Sequence, residues 1–96
     1  MATLEQINNA VRGAAETNFP STRISRIASK PAMTWTGEDA VEVFIVFADR
    51  AATRISGGEL MRNLSEVHDR LQSIGEERHP ILRYATEDEF DPDGKP

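Results

Sequence analysis

The chain of 96 residues is 39% hydrophobic, contains no cysteine and carries a formal net charge of −5 at pH 7. This length allows one compact domain with a single core, and the lack of cysteine excludes disulfides and thiolate metal sites. The first residues lack the basic and apolar regions of a signal peptide, and no apolar run approaches the roughly 20 residues of a membrane span. We therefore expect a soluble cytoplasmic protein.

The negative charge is concentrated at the C-terminal end. Of the 16 acidic and 11 basic residues, five acidic and one basic residue lie within residues 87–96, which leaves residues 1–86 with a net charge of −1. Nonspecific nucleic-acid binding depends on a basic surface, which such a domain lacks. We predict a single α+β domain over residues 1–86 and an acidic, flexible tail over residues 87–96.

Residues 3–17 predict a first helix. Thr3 and Gln6 fit a capping box, and small apolar side chains recur at helical spacing as far as Ala14. Pro20 ends the segment, because proline disfavours helical backbone in the residue before it.

Residues 22–29 predict a first strand, although its apolar pattern is irregular. Ile24 and Ile27 are three residues apart, so either a bulge places both on one face or they lie on opposite faces. The dipeptide Lys30-Pro31 interrupts this strand.

The stretch from Met33 to Thr36 continues the strand towards a turn at residues 37–39. It contains Trp35, the only tryptophan of the chain. Two interpretations stand for this side chain. It caps one end of the core, or it is a partly exposed anchor for a partner, since tryptophan is enriched at binding hot spots.

Residues 40–48, AVEVFIVFA, predict a second, central strand with apolar side chains on both faces. One face carries Val41, Val43, Ile45 and Phe47, and the other carries Glu42, Phe44, Val46 and Ala48. Glu42 either pairs with an arginine across the sheet or is a site carboxylate with a raised pKa. The candidate partners of Glu42 in this pairing are Arg23, Arg26 and Arg83.

Residues 56–74 predict the second helix, which Gly75 ends. Its apolar stripe comprises Leu60, Leu64, Val67, Leu71 and Ile74, with Met61 beside them. The pair Gly57-Gly58 before it indicates either a helix cap or a phosphate-binding loop. A Walker loop needs a longer glycine frame followed by lysine, whereas Ser56 and Glu59 fit a capping box. We interpret the pair as part of the cap.

Pro80 opens a last strand at residues 81–86, with Leu82 and Tyr84 on one face. The predicted order is α-β-β-α-β, an α+β fold of two helices on one face of a three-stranded sheet whose second and third strands are parallel.

This element order and the segment RHPILRYATEDE at residues 78–89 resemble type II KH domains and the ribosome-binding factor A family. The resemblance implies an RNA- or ribosome-binding domain in which a GxxG loop clamps the nucleic-acid backbone. The two adjacent glycines of this chain do not form that motif. Under this alternative, the expected RNA contacts are Arg50, Arg54 and Arg62.

Few residues suggest chemistry, and we predict no catalytic, cofactor-binding or metal-binding site. His68 is expected to be a half-buried packing residue and His79 an exposed loop residue. The acidic pairs Glu38-Asp39 and Glu76-Glu77 are interpreted as solvated loop charges. Without a convergent nucleophile, base or metal-binding set, the chain is not expected to be an enzyme.

The second face of the sheet favours an interaction role. Helices on one face leave Phe44 and Val46 over water, and exposed apolar patches mark interfaces. A second copy, a different protein or the tail with Phe90 would cover them, and a homodimer is the simplest solution. We predict a homodimeric protein-interaction module, acting as a regulator or antitoxin-like operon partner. Candidate interface residues are Trp35, Phe44, Val46, Tyr84 and Phe90.

Overall fold

The computed structural model describes residues 2–48 and 54–90 and confirms the predicted element order. The elements are α1 (Leu4–Asn18), β1 (Ile24–Met33), β2 (Asp39–Phe47), α2 (Gly57–Ser73) and β3 (His79–Thr86). The strands form one mixed sheet in the order β1-β2-β3, with β1 antiparallel and β3 parallel to β2. The α+β fold, with both helices packed on one face of the sheet, is as predicted.

The core lies between the helices and alternate residues of β2. Its sheet side is formed by Val41, Val43, Ile45 and Phe47, all of which are fully buried or nearly so. The helices contribute Ile7, Val11 and Ala14 from α1 and Val67 and Leu71 from α2. The alternation of β2 therefore separates this helix-covered face from a second face, called here the distal face.

Both helices begin at the predicted capping boxes. The Gln6 backbone N–H donates to Thr3 Oγ1 at 3.1 Å, and the Thr3 N–H donates to Gln6 Oε1 at 2.9 Å. At α2, the Glu59 N–H donates to Ser56 Oγ at 3.2 Å, while the Ser56 N–H donates to Glu59 Oε1 at 3.2 Å. The interpretation of the glycine pair as part of a helix cap is confirmed.

β1 differs from the prediction in its second half. A bulge between Ile24 and Arg26 places Ile24 and Ile27 on the helix-covered face, which confirms one of the two alternatives. The predicted interruption at Lys30-Pro31 is wrong, because the strand continues to Met33.

The hydrogen-bond alternation of the hairpin explains why Pro31 is tolerated within β1. The Thr34 N–H donates to the Glu38 carbonyl at 2.9 Å, so in an antiparallel pair the N–H groups of even-numbered residues in this part of β1 point towards β2. The backbone nitrogen of residue 31 therefore points away from β2, towards the outer edge of the sheet. The missing N–H of Pro31 removes no bond between the two strands.

The buried stripe of α2 is rotated from the predicted one. Asn63 is fully buried together with Val67 and Leu71, whereas Met61 and Ile74 are exposed. The prediction followed apolar side chains only, and it assigned Ile74 to the core and omitted Asn63. The polar side chain is accepted there because its hydrogen bonds are satisfied, as described below.

β3 begins at His79, two residues before the predicted start, with Pro80 inside an edge strand, where a proline is tolerated. Gly75, between α2 and β3, has a φ of 80°, a conformation that suits glycine at a helix end. Among the described residues, no helix combines the length and apolar character that crossing a membrane requires.

Candidate interaction surfaces

The turn between β1 and β2 is fixed by hydrogen bonds centred on Thr34. Its N–H donates to the Glu38 carbonyl, its carbonyl accepts from the Gly37 N–H at 2.9 Å, and its Oγ1 accepts from the Glu38 N–H at 3.0 Å. The hydroxyl oxygens of Thr34 and Thr36 are 2.9 Å apart. Gly37 adopts a φ of 88°, which favours glycine. The backbone of the turn is therefore well defined.

Trp35 lies on this turn and is 97% exposed. The interpretation in which it caps the core is wrong, because the indole is almost entirely exposed to solvent. Met33, at the end of β1, is 66% exposed. The neighbouring residues Glu38 and Asp39 are also exposed. We call Met33, Trp35, Glu38 and Asp39 the hairpin tip, an apolar anchor flanked by two acids.

The distal face is occupied by the residues that follow β3. Phe90 lies against Phe44 of β2, with ring centroids 5.3 Å apart. Phe44 is half-buried and Val46 is only 1% exposed. Of the three predicted occupants of this face (a second copy, a different protein or the tail with Phe90), the structure shows the last, because the chain turns back after β3 and brings Phe90 onto Phe44.

Several hydrogen bonds hold this returning segment, residues 87–90. The Phe90 N–H donates to the Thr86 carbonyl at 3.0 Å, and Glu89 Oε1 accepts from the N–H and the hydroxyl of Thr86, both at 3.0 Å. The Ser25 hydroxyl donates to the Glu87 carboxylate. Residues 87–90 of the predicted tail therefore pack against the sheet, whereas residues 91–96 lie outside the described residues and their flexibility stays a prediction.

Cationic side chains surround the aromatic pair on the distal face. The Arg26 guanidinium carbon is 5.2 Å from the Phe90 ring centroid, and Lys30 Nζ is 5.9 Å from that of Phe44. Both distances fall within the range of cation–π attraction. Lys30 and Arg83 have side chains 60% and 58% exposed.

Glu42 provides a negative charge among these cations. Its carboxylate accepts from Arg83 Nε at 2.9 Å and lies 3.4 Å from Lys30 Nζ. The hydrogen bond from Arg83 is the main cause that lowers the pKa of Glu42. The predicted pairing with an arginine is confirmed for Arg83, and the alternative of a carboxylate with a raised pKa is wrong.

Tyr84, another candidate interface residue, lies on the helix-covered face. Its ring stacks on Phe47 with centroids 6.1 Å apart and meets the edge of Phe19 at 6.0 Å. Its hydroxyl oxygen accepts from Asn63 Nδ2 at 3.0 Å, and burial raises the pKa of Tyr84. The structure therefore does not bring Tyr84 together with Phe44, Val46 and Phe90.

A cleft of about 560 Å³ lies between the end of α2 and the starts of β2 and β3. His68 and His79 meet at its wall with ring centroids 5.7 Å apart. His68 is half-buried, as predicted, while His79 is exposed but begins β3 instead of lying in a loop. Among the described residues, no cluster of three or more suitable side chains could hold a metal ion.

Glu76 in this cleft is 4% exposed, so the interpretation of Glu76 as a solvated charge is wrong. It accepts from the Arg78 guanidinium at 2.8 and 3.0 Å, from the Arg78 N–H at 2.8 Å and from the Ala2 N–H at 3.3 Å. These bonds, led by those of the Arg78 side chain, lower its pKa to about 2. The cluster fastens the start of the chain to the α2–β3 connection, which is a structural role.

The arginines of the RNA-binding alternative are only partly located. Arg54 precedes α2 and Arg62 lies on it, and both side chains are exposed. Arg50 lies outside the described residues. The carboxylate of Glu59 is bound at the N-terminus of α2, where a phosphate would approach. Comparison with protein-family models, with curated proteins and with solved structures finds no significant match for this chain.

Proposed function

We propose that the chain is a non-enzymatic protein-interaction module that binds a partner protein through the hairpin tip. The observation that carries this proposal is the 97% exposure of Trp35 on a turn fixed by hydrogen bonds. Burying a large apolar side chain is worth about 1.5–3 kcal/mol, and Trp35 contributes almost none of this to the fold. A partner that buries the indole would gain it, which is the usual origin of tryptophan hot spots.

The fixed turn favours binding for a second reason. A side chain presented on an ordered backbone loses less conformational entropy on association than one on a mobile loop. Glu38 and Asp39, three and four residues after Trp35 in the chain, favour an apolar pocket with a basic rim on the partner. A regulator or antitoxin-like protein would act by such a contact. The predicted homodimer stays a separate prediction, tested below.

Co-purification with matched variants tests this proposal. Tagged wild-type protein, Trp35→Ala and Met61→Ala are compared in extracts of the source cells, with quantification of every bound protein. Met61 is also a large apolar side chain that is 66% exposed, but it lies on α2. Its substitution therefore controls for a general loss of exposed apolar surface. We expect to find a partner protein that Met61→Ala binds in the same amount as wild type. The amount bound by Trp35→Ala should be at least tenfold lower.

The purified partner must then shift the fluorescence of the single tryptophan towards the blue, because binding removes the indole from water. Binding that is equal for Trp35→Ala and wild type, or binding without a change in tryptophan emission, would overturn the assignment of the hairpin tip.

A further inference from the structure

The distal face combines an aromatic ring with excess positive charge. Lys30 lies over Phe44, Arg83 is the partner of Phe44 in the strand pairing, and Arg26 lies over Phe90. Glu42 between Lys30 and Arg83 leaves this group with a surplus of cations. The hairpin tip, by contrast, is acidic. These two surfaces suit ligands of opposite charge.

The segment seated on the distal face has the complementary chemistry. Residues 87–90, EDEF, carry three acidic side chains and one phenylalanine. The Phe90 ring fills the position over Phe44 and beneath the Arg26 guanidinium, while the Glu87 carboxylate accepts from the Ser25 hydroxyl. An aromatic ring and a carboxylate three residues apart are thus the features that this face holds.

We infer that the distal face is a docking site for an acidic peptide segment bearing an aromatic side chain, and that residues 87–90 occupy this site within the same chain. The contacts that carry this chemistry are the Phe90 ring and the hydroxyl–carboxylate bond of Glu87, beside a turn closed by Thr86 and Glu89. An external segment with the same chemistry replaces the Phe90 ring and the Glu87 carboxylate, while the bond from the Glu87 N–H to the Phe47 carbonyl, at 3.1 Å, keeps the end of β3 paired with β2. The C-terminal segment therefore competes with the ligand and sets the affinity that a partner needs.

A peptide is favoured over a single-stranded nucleic acid for two reasons. Nucleic acids also stack on aromatic side chains flanked by cations, but the seated occupant is itself a peptide whose ring and carboxylate both find partners. The domain up to residue 86 also has a net charge of −1, whereas the affinity for phosphate backbones depends on net positive charge.

The chain of 96 residues and its Phe90→Ala variant provide the test. A blocked peptide with the sequence of residues 85–90, ATEDEF, is titrated into isotope-labelled protein while amide resonances are followed by NMR. We expect Phe90→Ala to bind the peptide at least about fivefold more tightly than wild type, because the ring position over Phe44 is empty in the variant. The shifts should centre on the amides of Arg26, Ala28 and Phe44.

Two controls define the chemistry and the surface. The peptide ATEDEA should not bind, and Arg26→Ser combined with Phe90→Ala should lose most of the affinity for ATEDEF. Trp35→Ala should leave peptide binding unchanged, so this inference and the hairpin tip proposal fail or hold separately. The inference is overturned if Phe90→Ala does not respond to the peptide, if wild type binds it equally well, or if an oligouridylate binds where the peptide does not.

Discussion

Asn63 of α2 donates from Nδ2 to the hydroxyl oxygen of Tyr84 on β3, at 3.0 Å, at a point where the asparagine is fully buried. Its Oδ1 in turn accepts from Asn18 Nδ2 at 3.2 Å, at the end of α1. One amide therefore links both helices to the sheet. Because each of its groups has a partner, the cost of burying them is offset, and the network fixes how the elements are placed relative to one another.

We expect Asn63→Ala to lower the free energy of unfolding by about 1–3 kcal/mol, because it opens a small cavity and deprives the hydroxyl of the half-buried Tyr84 of its donor. Urea unfolding followed by circular dichroism measures the change. Ser65→Ala, an exposed substitution on the same helix, should stay within about 0.5 kcal/mol of wild type. A second test is Tyr84→Phe, whose effect should not add fully to that of Asn63→Ala, since both remove the same bond. Full additivity would show that the bond contributes nothing.

The lowered pKa of Glu76 predicts that the folded protein loses stability in acid. The hydrogen bonds from Arg78 lower its folded-state pKa from 4.5 to about 2, so the folded state binds this proton less readily than the unfolded state. The stabilisation is complete above about pH 4.5 and disappears as the pH falls towards 2. A shift of this size corresponds to at most about 3 kcal/mol. Urea unfolding at several pH values between 7 and 2 measures it.

The matched control for that experiment is the neighbouring residue. Glu77 is exposed, so Glu77→Gln removes the same charge without removing a buried bond. Glu76→Gln should be less stable than wild type at pH 7, and the difference should shrink as the pH approaches 2. Glu77→Gln should follow the wild-type curve. If the two variants behave alike, the Glu76–Arg78 pair does not contribute to stability.

Local patterns were sufficient for much of this fold. The capping box of Ser56 and Glu59 depends on residues three apart, and the alternation of β2 is set by the backbone, so both were predictable from sequence. The burial of Asn63 and Glu76 was not, because it depends on distant partners, Tyr84 for Asn63 and Ala2 for Glu76, which come close only in the folded chain. The exposure of Trp35 was ambiguous for the same reason: a hairpin pattern does not indicate how far the turn extends beyond the core.

The exposure of Trp35 has a direct spectroscopic consequence. As the only tryptophan, it should emit in the folded protein at nearly the wavelength found in concentrated urea. Trp35→Ala should change the free energy of unfolding by no more than about 0.5 kcal/mol, because the indole contacts little of the protein. Circular dichroism measures this variant, which lacks the fluorophore. A native emission well to the blue of the unfolded one would contradict the described exposure, and a shift that grows with protein concentration would indicate self-association at the hairpin tip.

The position of Pro31 leads us to predict that it limits self-association through the outer edge of β1. An edge strand with unpaired N–H groups is a template for a second chain, and Pro31 interrupts that row because its position faces away from β2. Pro31→Thr restores the missing donor, so we expect it to increase the mass measured by light scattering during size exclusion.

Ala32→Thr is the control for this prediction, because the N–H of residue 32 points towards β2 in the hydrogen-bond alternation set by Thr34 and Glu38. It adds the same β-branched side chain without adding a donor to the edge, and its mass should equal that of wild type. A wild-type dimer that Pro31→Thr leaves unchanged would confirm the predicted homodimer and place its interface away from this edge. A wild-type monomer that associates only in Pro31→Thr would show that the proline keeps the edge of β1 from pairing.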